Sequence, residues 1–240
     1  MTCRGCGEDK KLIKAHIIPE AFFRGLRSGD TPPRLITDIK GVYPRKAPIG
    51  VYDTKILCRD CEDVFGDLDN YGQAVLLQSS DSTKELKRGV ELLGYVIPDV
   101  NLDYFRKFLI SVLWRASVST HDYYSKVKLG PYEKRAKAIV WADGANINPS
   151  GFSFVVSKFV DDRFSKTMLD PHPERWYGIN YYRIYMFWYT VHIKVDKRAT
   201  PSMFKSFEQS GRGKLFVIAR DMTDSRELSA IISIAGKAVS

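Results

Sequence analysis

The chain has 240 residues, 44% of them hydrophobic, which is enough to bury an ordinary core and argues against a disordered protein. Its 37 lysines and arginines outnumber 28 aspartates and glutamates, and the net charge of +9 favours a polyanionic partner, although a basic solvated surface explains it equally well. No apolar run reaches the roughly 18 residues that a membrane-spanning helix needs, so we expect no membrane association and a cytoplasmic protein.

All four cysteines lie in two Cys-x-x-Cys pairs, Cys3/Cys6 and Cys58/Cys61. Two such pairs can bind one zinc ion from two tight turns, so the spacing predicts a tetrahedral structural site made of all four thiolates. Two disulfides or four free thiols are the alternatives. Neighbours in a Cys-x-x-Cys pair rarely form structural bridges, and nothing before Cys3 resembles a signal peptide for an oxidising compartment, so the pattern favours zinc.

Between and just after the two cysteine pairs, the sequence predicts short strands and helices. A strand is expected over residues 11–18, and a helix of one or two turns over residues 19–26 begins at a proline, a residue common at helix starts. Further β structure is predicted over residues 34–57. A helix is predicted from Cys61 to about Gln78, because apolar side chains recur there along one side.

The order of these elements resembles that of HNH, or His-Me finger, endonucleases over about residues 1–75. A cysteine knuckle is followed by a strand with the sequence Ala-His-Ile-Ile-Pro at residues 15–19, by a strand that ends at the second knuckle, and by a helix. The resemblance implies a ββα-metal module, in which a β-hairpin and a helix hold one divalent cation and zinc knuckles fix their base. It also implies hydrolysis of phosphodiester bonds in nucleic acid.

The resemblance assigns roles to three residues of this module. His16 falls on the family's general base, Asp53 on its asparagine five residues before the second knuckle, and Glu62 on the histidine that follows that knuckle. Ala15 stands where the family usually has an aspartate or histidine that binds the metal. Such an enzyme needs a base to activate water and a cation to stabilise charge on the scissile phosphate, and a neutral histidine suits the first task near pH 7.

Because Ala15 offers no ligand, the catalytic cation, Mg²⁺ or another divalent ion, would depend on carboxylates from elsewhere in the module. Glu62 and Asp69 are seven residues apart, two helical turns, which places them on one face of the predicted helix. Asp53 could complete this group or orient His16 through a hydrogen bond. The same residues also have structural interpretations, since a histidine on a strand often has only a packing role and acids are common near helix N-termini.

Beyond residue 80 the pattern changes, after a polar break over Ser79–Thr83. Helices are predicted over Lys84–Leu93, Leu102–Ser119 and Pro131–Val140. The rest is predicted to be mainly β, with strands rich in aromatic and β-branched residues over Phe152–Phe159, Tyr181–Val195 and Lys214–Ala219. The longest of these strands is expected to be central, since its partial alternation indicates burial on both faces.

The sequence therefore predicts an α+β protein in two parts. Residues 1–80 are expected to form the zinc-stabilised, HNH-like nuclease module, and residues 81–240 an α+β region in which a helical segment precedes mainly antiparallel strands. Most of the excess basic charge lies after residue 75, so this second region is expected to supply much of the grip on nucleic acid.

The predicted function is metal-dependent hydrolysis of nucleic-acid phosphodiester bonds, with DNA as the expected substrate, a structural Zn²⁺ and a catalytic divalent cation. A mobile-element, restriction or phage-defence setting follows only by analogy with the family. The alternative is a different class, a catalytically silent zinc module that binds nucleic acid or a protein partner, and Ala15 is its strongest support. The sequence leaves open whether the chain forms a homo-oligomer.

Overall fold

The computed structural model describes residues 1–27, 32–37, 39, 41–142, 151–160, 167–205, 211–221, 225 and 228–229. It contains 31% helix and 33% strand, which confirms the predicted α+β class. The finer prediction of a ββα-metal module stays a prediction. No helix in the described ranges combines the length and the apolar character needed to cross a membrane.

The strands are short in the first part of the chain and longer in the second. They are β1 (Ala15–His16), β2 (Arg34–Ile36), β3 (Arg45–Lys46), β4 (Tyr52–Asp53), β5 (Lys84–Arg88), β6 (Glu91–Asn101), β7 (Phe154–Phe159), β8 (Thr167–Leu169), β9 (His172–Trp176), β10 (Ile179–Met186), β11 (Tyr189–Lys194) and β12 (Arg212–Arg220). The helices are α1 (Glu20–Arg24), α2 (Arg59–Asp63), α3 (Gly66–Leu77), α4 (Leu102–Val118), α5 (Glu133–Trp141) and α6 (Ser202–Lys205).

A seven-stranded sheet dominates the second part of the chain, with the strand order β5-β6-β12-β7-β11-β10-β9. Its neighbouring strands are antiparallel except β12 and β7, which run parallel. Two small sheets lie outside it. One pairs β1 with β4, and the other has the order β3-β2-β8, in which β8 from the second part runs parallel to β2 from the first.

Helix α4 lies at the centre of the core, and the helix predicted over Leu102–Ser119 is confirmed. Asn101 caps its N-terminus, because its side chain accepts a hydrogen bond from the backbone N–H of Tyr104 at 3.0 Å. The helix packs against α3, α5, β6 and β12, and it is buried continuously from Phe108 to its end. One apolar cluster includes buried residues from Cys3 to Val217, so the core extends across residue 80, while the division there into two domains stays a prediction.

The helix predicted over Lys84–Leu93 is wrong. Strands β5 and β6 form an antiparallel hairpin there, in which Arg88 lies opposite Glu91 and the turn consists of Gly89 and Val90. Gly89 has a φ of 62°, a left-handed conformation that glycine adopts without steric cost and that two-residue hairpin turns require. All of β5 is exposed, so its polar sequence reflects an edge strand in contact with water and not one face of a helix.

The single strand predicted over Tyr181–Val195 is two strands. β10 and β11 form a hairpin in which Met186 lies opposite Tyr189. Phe187 in the turn has a φ of 58°, which is rare for a residue other than glycine. Its ring packs closely on Gly25, since a Cβ atom added at Gly25 would lie 2.8 Å from the Phe187 ring. The hairpin is not central, because β7 is the middle strand, but nearly all of its residues are buried, as predicted.

The remaining predicted elements are present with different boundaries. The expected strand over residues 11–18 is paired at an isolated bridge between Leu12 and Cys58 and at β1, and the β structure expected over residues 34–57 consists of β2, β3 and β4. The helix expected from Cys61 is two helices, α2 and α3, with a break before Gly66, a residue of low helix propensity. Helices α1 and α5 and strands β7 and β12 lie where the sequence predicts a helix or a strand.

Candidate metal centre and His16 site

The four cysteines meet where α2 begins. Their Sγ atoms all lie within 4.8 Å of one another, and those of Cys6 and Cys58 are 4.0 Å apart. Sulfur atoms arranged tetrahedrally around zinc at about 2.3 Å would be separated by about 3.8 Å. All four thiols are free, so the cluster can hold one metal ion such as zinc.

Glycine allows the two cysteine turns to pack this closely. A Cβ atom at Gly5 would lie 2.5 Å from Sγ of Cys61, so a larger residue there would push the turns apart. Gly7 has a φ of 82° where the chain leaves the first turn. The backbone N–H of Cys58 donates to Sγ of Cys3 at 3.3 Å, a hydrogen bond that links the two turns even without a metal.

The thiols of the cluster differ in acidity. Burial raises the pKa of the Cys3 thiol, but backbone hydrogen bonds from Cys58, Cys6 and Gly5 outweigh it, and the pKa falls to about 6. Burial, followed by the neighbouring Cys3 and Cys58 side chains, raises the pKa of the Cys61 thiol well above its usual range. The cluster thus favours one thiolate, and a bound cation would stabilise the others as they lose their protons.

His16 lies on β1 opposite Tyr52 of β4, and its imidazole is partly buried. Burial lowers the pKa of His16, so the ring is neutral at pH 7. The ring makes a hydrogen bond with the backbone of Ile49, whereas Nε2 is buried and has no partner within the described ranges. Tyr52 lies edge-on to the imidazole at 6.0 Å between ring centroids, and Nζ of Lys14 is 3.9 Å from the Tyr52 ring centroid.

Glu62 is held beside the backbone of the same strand. The backbone N–H of His16 donates to its carboxylate, and burial raises the pKa of Glu62 while the Arg115 charge acts in the opposite direction. The second carboxylate oxygen, Oε2, is buried and has no hydrogen-bond partner in the part of the chain that the structure describes. Among the described residues, one carboxylate oxygen of Glu62 therefore has no hydrogen-bond donor, and it can accept a ligand such as a cation.

Asp69 is paired with Arg115 of α4. The two Nη atoms of Arg115 donate to the two carboxylate oxygens at 2.9 and 2.5 Å, a bidentate arrangement. Nη1 also donates to the backbone carbonyl of His16 at 2.8 Å, and the guanidinium lies 4.5 Å from the ring centroid of Phe65. The Arg115 side chain has no exposed surface, so a permanent positive charge lies buried beside the predicted catalytic histidine.

Asp53 forms a different set of contacts at the end of α4. Its carboxylate accepts hydrogen bonds from the backbone N–H of Lys55 at 2.8 Å, from the Ser119 hydroxyl at 2.9 Å, and from the backbone N–H and hydroxyl of Thr120 at 2.6 and 3.0 Å. Burial opposes ionisation, but these hydrogen bonds outweigh it and lower the pKa of Asp53. The carboxylate fixes β4 to the residues that follow α4, and its hydrogen-bond capacity is used there.

The predicted catalytic residues are therefore brought together only in part. His16, Glu62 and Asp69 are connected through the His16 backbone and Arg115, whereas Asp53 is occupied by Ser119 and Thr120. In the described ranges, the four cysteines form the only group of three or more histidine, cysteine or acidic side chains close enough to share a metal ion. Glu62 is the one carboxylate of the set with a buried oxygen left for a cation.

Sequence reasoning missed Arg115 as a member of this site. One signal was available: arginine is almost never fully buried unless it is paired, and this one lies between Trp114 and Ala116 in a predicted core helix whose apolar residues recur at helical spacing. Its partner could not be identified from spacing, because Asp69 is 46 residues away.

No protein-family model matches the chain, and neither a curated protein nor a solved structure matches it significantly. Its own structure defines its class: an α+β protein with four clustered cysteines that can hold a metal ion and a partly buried, neutral histidine on β1. The likeness to HNH endonucleases stays a prediction.

Replacing Asp69 by asparagine should destabilise the whole protein. The substitution leaves the Arg115 guanidinium buried without a counter-charge, which costs about 3–5 kcal/mol. Urea unfolding followed by circular dichroism measures the loss, and Asp67→Asn, an exposed acid on the same helix, is the matched control. A loss of only about 1 kcal/mol, typical of surface pairs, would show that the Asp69–Arg115 pair does not stabilise the core.

Proposed function

We propose that the protein is a metal-dependent endonuclease of the HNH type that hydrolyses nucleic-acid phosphodiester bonds, with DNA as the expected substrate. One observation carries the proposal: His16 Nε2 and Glu62 Oε2 are both buried, and neither has a partner among the described residues. Buried polar atoms without partners cost free energy, so a pair of them linked through one strand favours a role in binding or catalysis.

In this proposal His16 is the general base. Because its pKa is lowered by burial, the imidazole is uncharged at neutral pH and can accept a proton from water. The hydrogen bond with the backbone of Ile49 fixes the ring, so Nε2 is the nitrogen that would receive the proton. Tyr52 lies beside the ring and Lys14 lies over Tyr52, and these two side chains could contact the substrate through stacking and charge.

Glu62 is the residue that would hold the catalytic cation. Mg²⁺ sites often use one or two carboxylates together with substrate phosphate oxygens and water, so a single carboxylate is a sufficient protein ligand. A divalent cation there would stabilise the charge that develops on the scissile phosphate. Asp53 and Asp69 fit this role poorly, because hydrogen bonds and Arg115 occupy their oxygens. We also propose zinc as the ion of the cysteine cluster.

Nicking of supercoiled plasmid in Mg²⁺, Mn²⁺ or Ni²⁺ tests the activity, and Glu62→Gln tests the cation site. We expect the variant to cut more slowly than wild type at low cation concentration and to recover at high concentration, since a weakened ligand set raises the concentration needed for binding. Asp63→Asn, an exposed neighbour on α2, is the control and should cut normally. A Glu62→Gln variant with wild-type cation dependence would remove Glu62 from the proposal.

A second candidate function, the catalytically silent zinc module, is favoured by the pair between Asp69 and Arg115. Its buried guanidinium already supplies a positive charge near His16, and Ala15 provides no metal ligand. In that case the protein would bind nucleic acid or a protein partner through the same module without cutting. Binding of plasmid without nicking in any of the three cations would support this function.

A further inference from the structure

A cavity of about 360 Å³ lies between the C-terminal end of α3, the β10–β11 turn and the strands of the seven-stranded sheet from β5 to β11. Its volume falls in the range of roughly 300–1,000 Å³ that is usual for small-molecule sites. The residues that line it and bear on its chemistry are Leu76, Tyr95, Lys158, Phe187, Trp188 and Tyr189. None of them belongs to the cysteine cluster or to the His16 site.

Lys158 is the only cation among the described residues that line this cavity. Its Nζ lies 5.1 Å from the ring centroid of Tyr95 and 5.8 Å from that of Tyr189, which faces it on the neighbouring strand β11. Burial lowers the pKa of Lys158, and no carboxylate in the described ranges acts against this. A partly buried ammonium group that contacts aromatic rings and has no counter-charge among the described residues favours the binding of an anion.

Glu85, the one acidic residue among the described residues that line the cavity, does not change this balance. Glu85 lines the rim, but it is exposed and its carboxylate is 2.5 Å from Nζ of Lys87, on the same strand. Lys87 therefore compensates its charge, and the charge of Lys158 remains available within the cavity.

Two aromatic residues of the β10–β11 turn form another wall. Phe187 and Trp188 lie edge to face at 5.1 Å between ring centroids, and both are partly buried. Phe187 is fixed against Gly25 of the N-terminal part, which also fixes the turn that carries Trp188. The cavity thus combines a rigid aromatic wall with one cation, the combination that recognises a planar base and its phosphate.

We propose that this cavity binds a nucleotide, with its base against the aromatic wall and its phosphate at Lys158. The ligand is either a free nucleotide or an unpaired nucleotide of a nucleic-acid strand, since both present the same chemistry. The proposal does not depend on hydrolysis at His16, because binding at this cavity involves none of the residues of that site.

Fluorescence titration of the full chain without added divalent cation tests the proposal, with a nucleoside monophosphate and a short labelled oligothymidylate as probes. Trp188→Ala should weaken binding roughly 5- to 150-fold, whereas Trp188→Phe keeps a stacking surface and should retain most of the affinity. Lys158→Gln should weaken binding and reduce the slope of log affinity against log salt for the oligonucleotide by about 0.7. Lys134→Gln, which removes an exposed lysine on α5, is the charge control.

Thermal unfolding of each variant shows whether its fold is intact, and Lys158→Gln gives an independent test if Trp188→Ala does not fold. Binding of the monophosphate with this dependence on Lys158 and Trp188 identifies a free-nucleotide site, and binding of the oligonucleotide alone identifies an unpaired strand. The proposal is overturned if neither probe binds, or if Lys158→Gln and Trp188→Ala both bind as tightly as Lys134→Gln. His16→Ala should bind both probes normally, so failure here is distinct from failure of the nuclease proposal.

Discussion

Replacing Cys58 by serine is expected to release the metal ion and unfold the N-terminal part of the protein. The two turns of the cluster are separated by 51 residues, between Cys6 and Cys58, and a metal ion bound by all four thiolates would close this segment into a loop. Structural zinc contributes about 10–16 kcal/mol in small zinc modules, as much as the entire stability of many domains. Because Cys3, Cys58 and Cys61 also belong to the main apolar cluster, the loss should lower the unfolding temperature of the whole chain.

Metal analysis of freshly purified protein and thermal unfolding measure this effect. Wild type should contain one zinc ion per chain, and Cys58→Ser should contain much less. Asp60→Asn is a matched control, since Asp60 lies between the two cysteines of the second turn and its ion pair with Lys10 is exposed. Metal-free wild-type protein, or native Cys3–Cys6 and Cys58–Cys61 disulfides in mass spectrometry, would contradict the zinc site.

Features encoded by short-range patterns were predicted well. The four cysteines cluster as their spacing indicates, and α4 has nearly the predicted length because its apolar residues recur over more than four turns and Asn101 provides a cap. The two wrong predictions concern hairpins. Gly89 was a usable turn signal for β5 and β6, whereas Phe187 has no turn propensity, and its close packing on Gly25, 162 residues earlier, could not be predicted from the sequence.

The contacts of the candidate site depend on residues distant in sequence, and these could not be predicted. Asp53 was a reasonable candidate for orienting His16, but its carboxylate accepts hydrogen bonds from Ser119 and Thr120. These donors compete with His16 for Asp53 only because the fold places the end of α4 beside β4, which the sequence does not reveal. Asp69 lies on the predicted helix, yet Arg115 occupies its carboxylate.

Arg115 also connects the two predicted parts of the chain. Its bonds to Asp69 and to the backbone carbonyl of His16 cross the boundary expected near residue 80, so α4 helps to position the strand that carries the histidine. The predicted N-terminal module therefore depends on α4, a helix that lies outside residues 1–80. A fragment ending near residue 80 would lack this support, and activity should be measured on the full chain.

His16→Ala is expected to abolish cleavage while leaving the metal cluster and the fold intact. A missing general base costs on the order of 10²–10⁴ in rate, and no concentration of Mg²⁺ or Mn²⁺ restores it, unlike the loss of a cation ligand at Glu62. The fold should survive because the contacts of residue 16 that matter for packing, its backbone carbonyl to Arg115 and its backbone N–H to Glu62, do not involve the ring.

Plasmid nicking by wild type, His16→Ala and His121→Asn makes the comparison, with zinc content and unfolding temperature measured for each. His121 is a suitable control because its pKa is also lowered by burial, while its Nδ1 accepts a hydrogen bond from the backbone N–H of Tyr123, a role that asparagine can take over. The base assignment holds if His121→Asn cuts and His16→Ala does not, with equal zinc in both. If His16→Ala cuts as well as wild type, or wild type cuts no substrate in any of the cations, the buried histidine is structural and the silent zinc module is the better description of the protein.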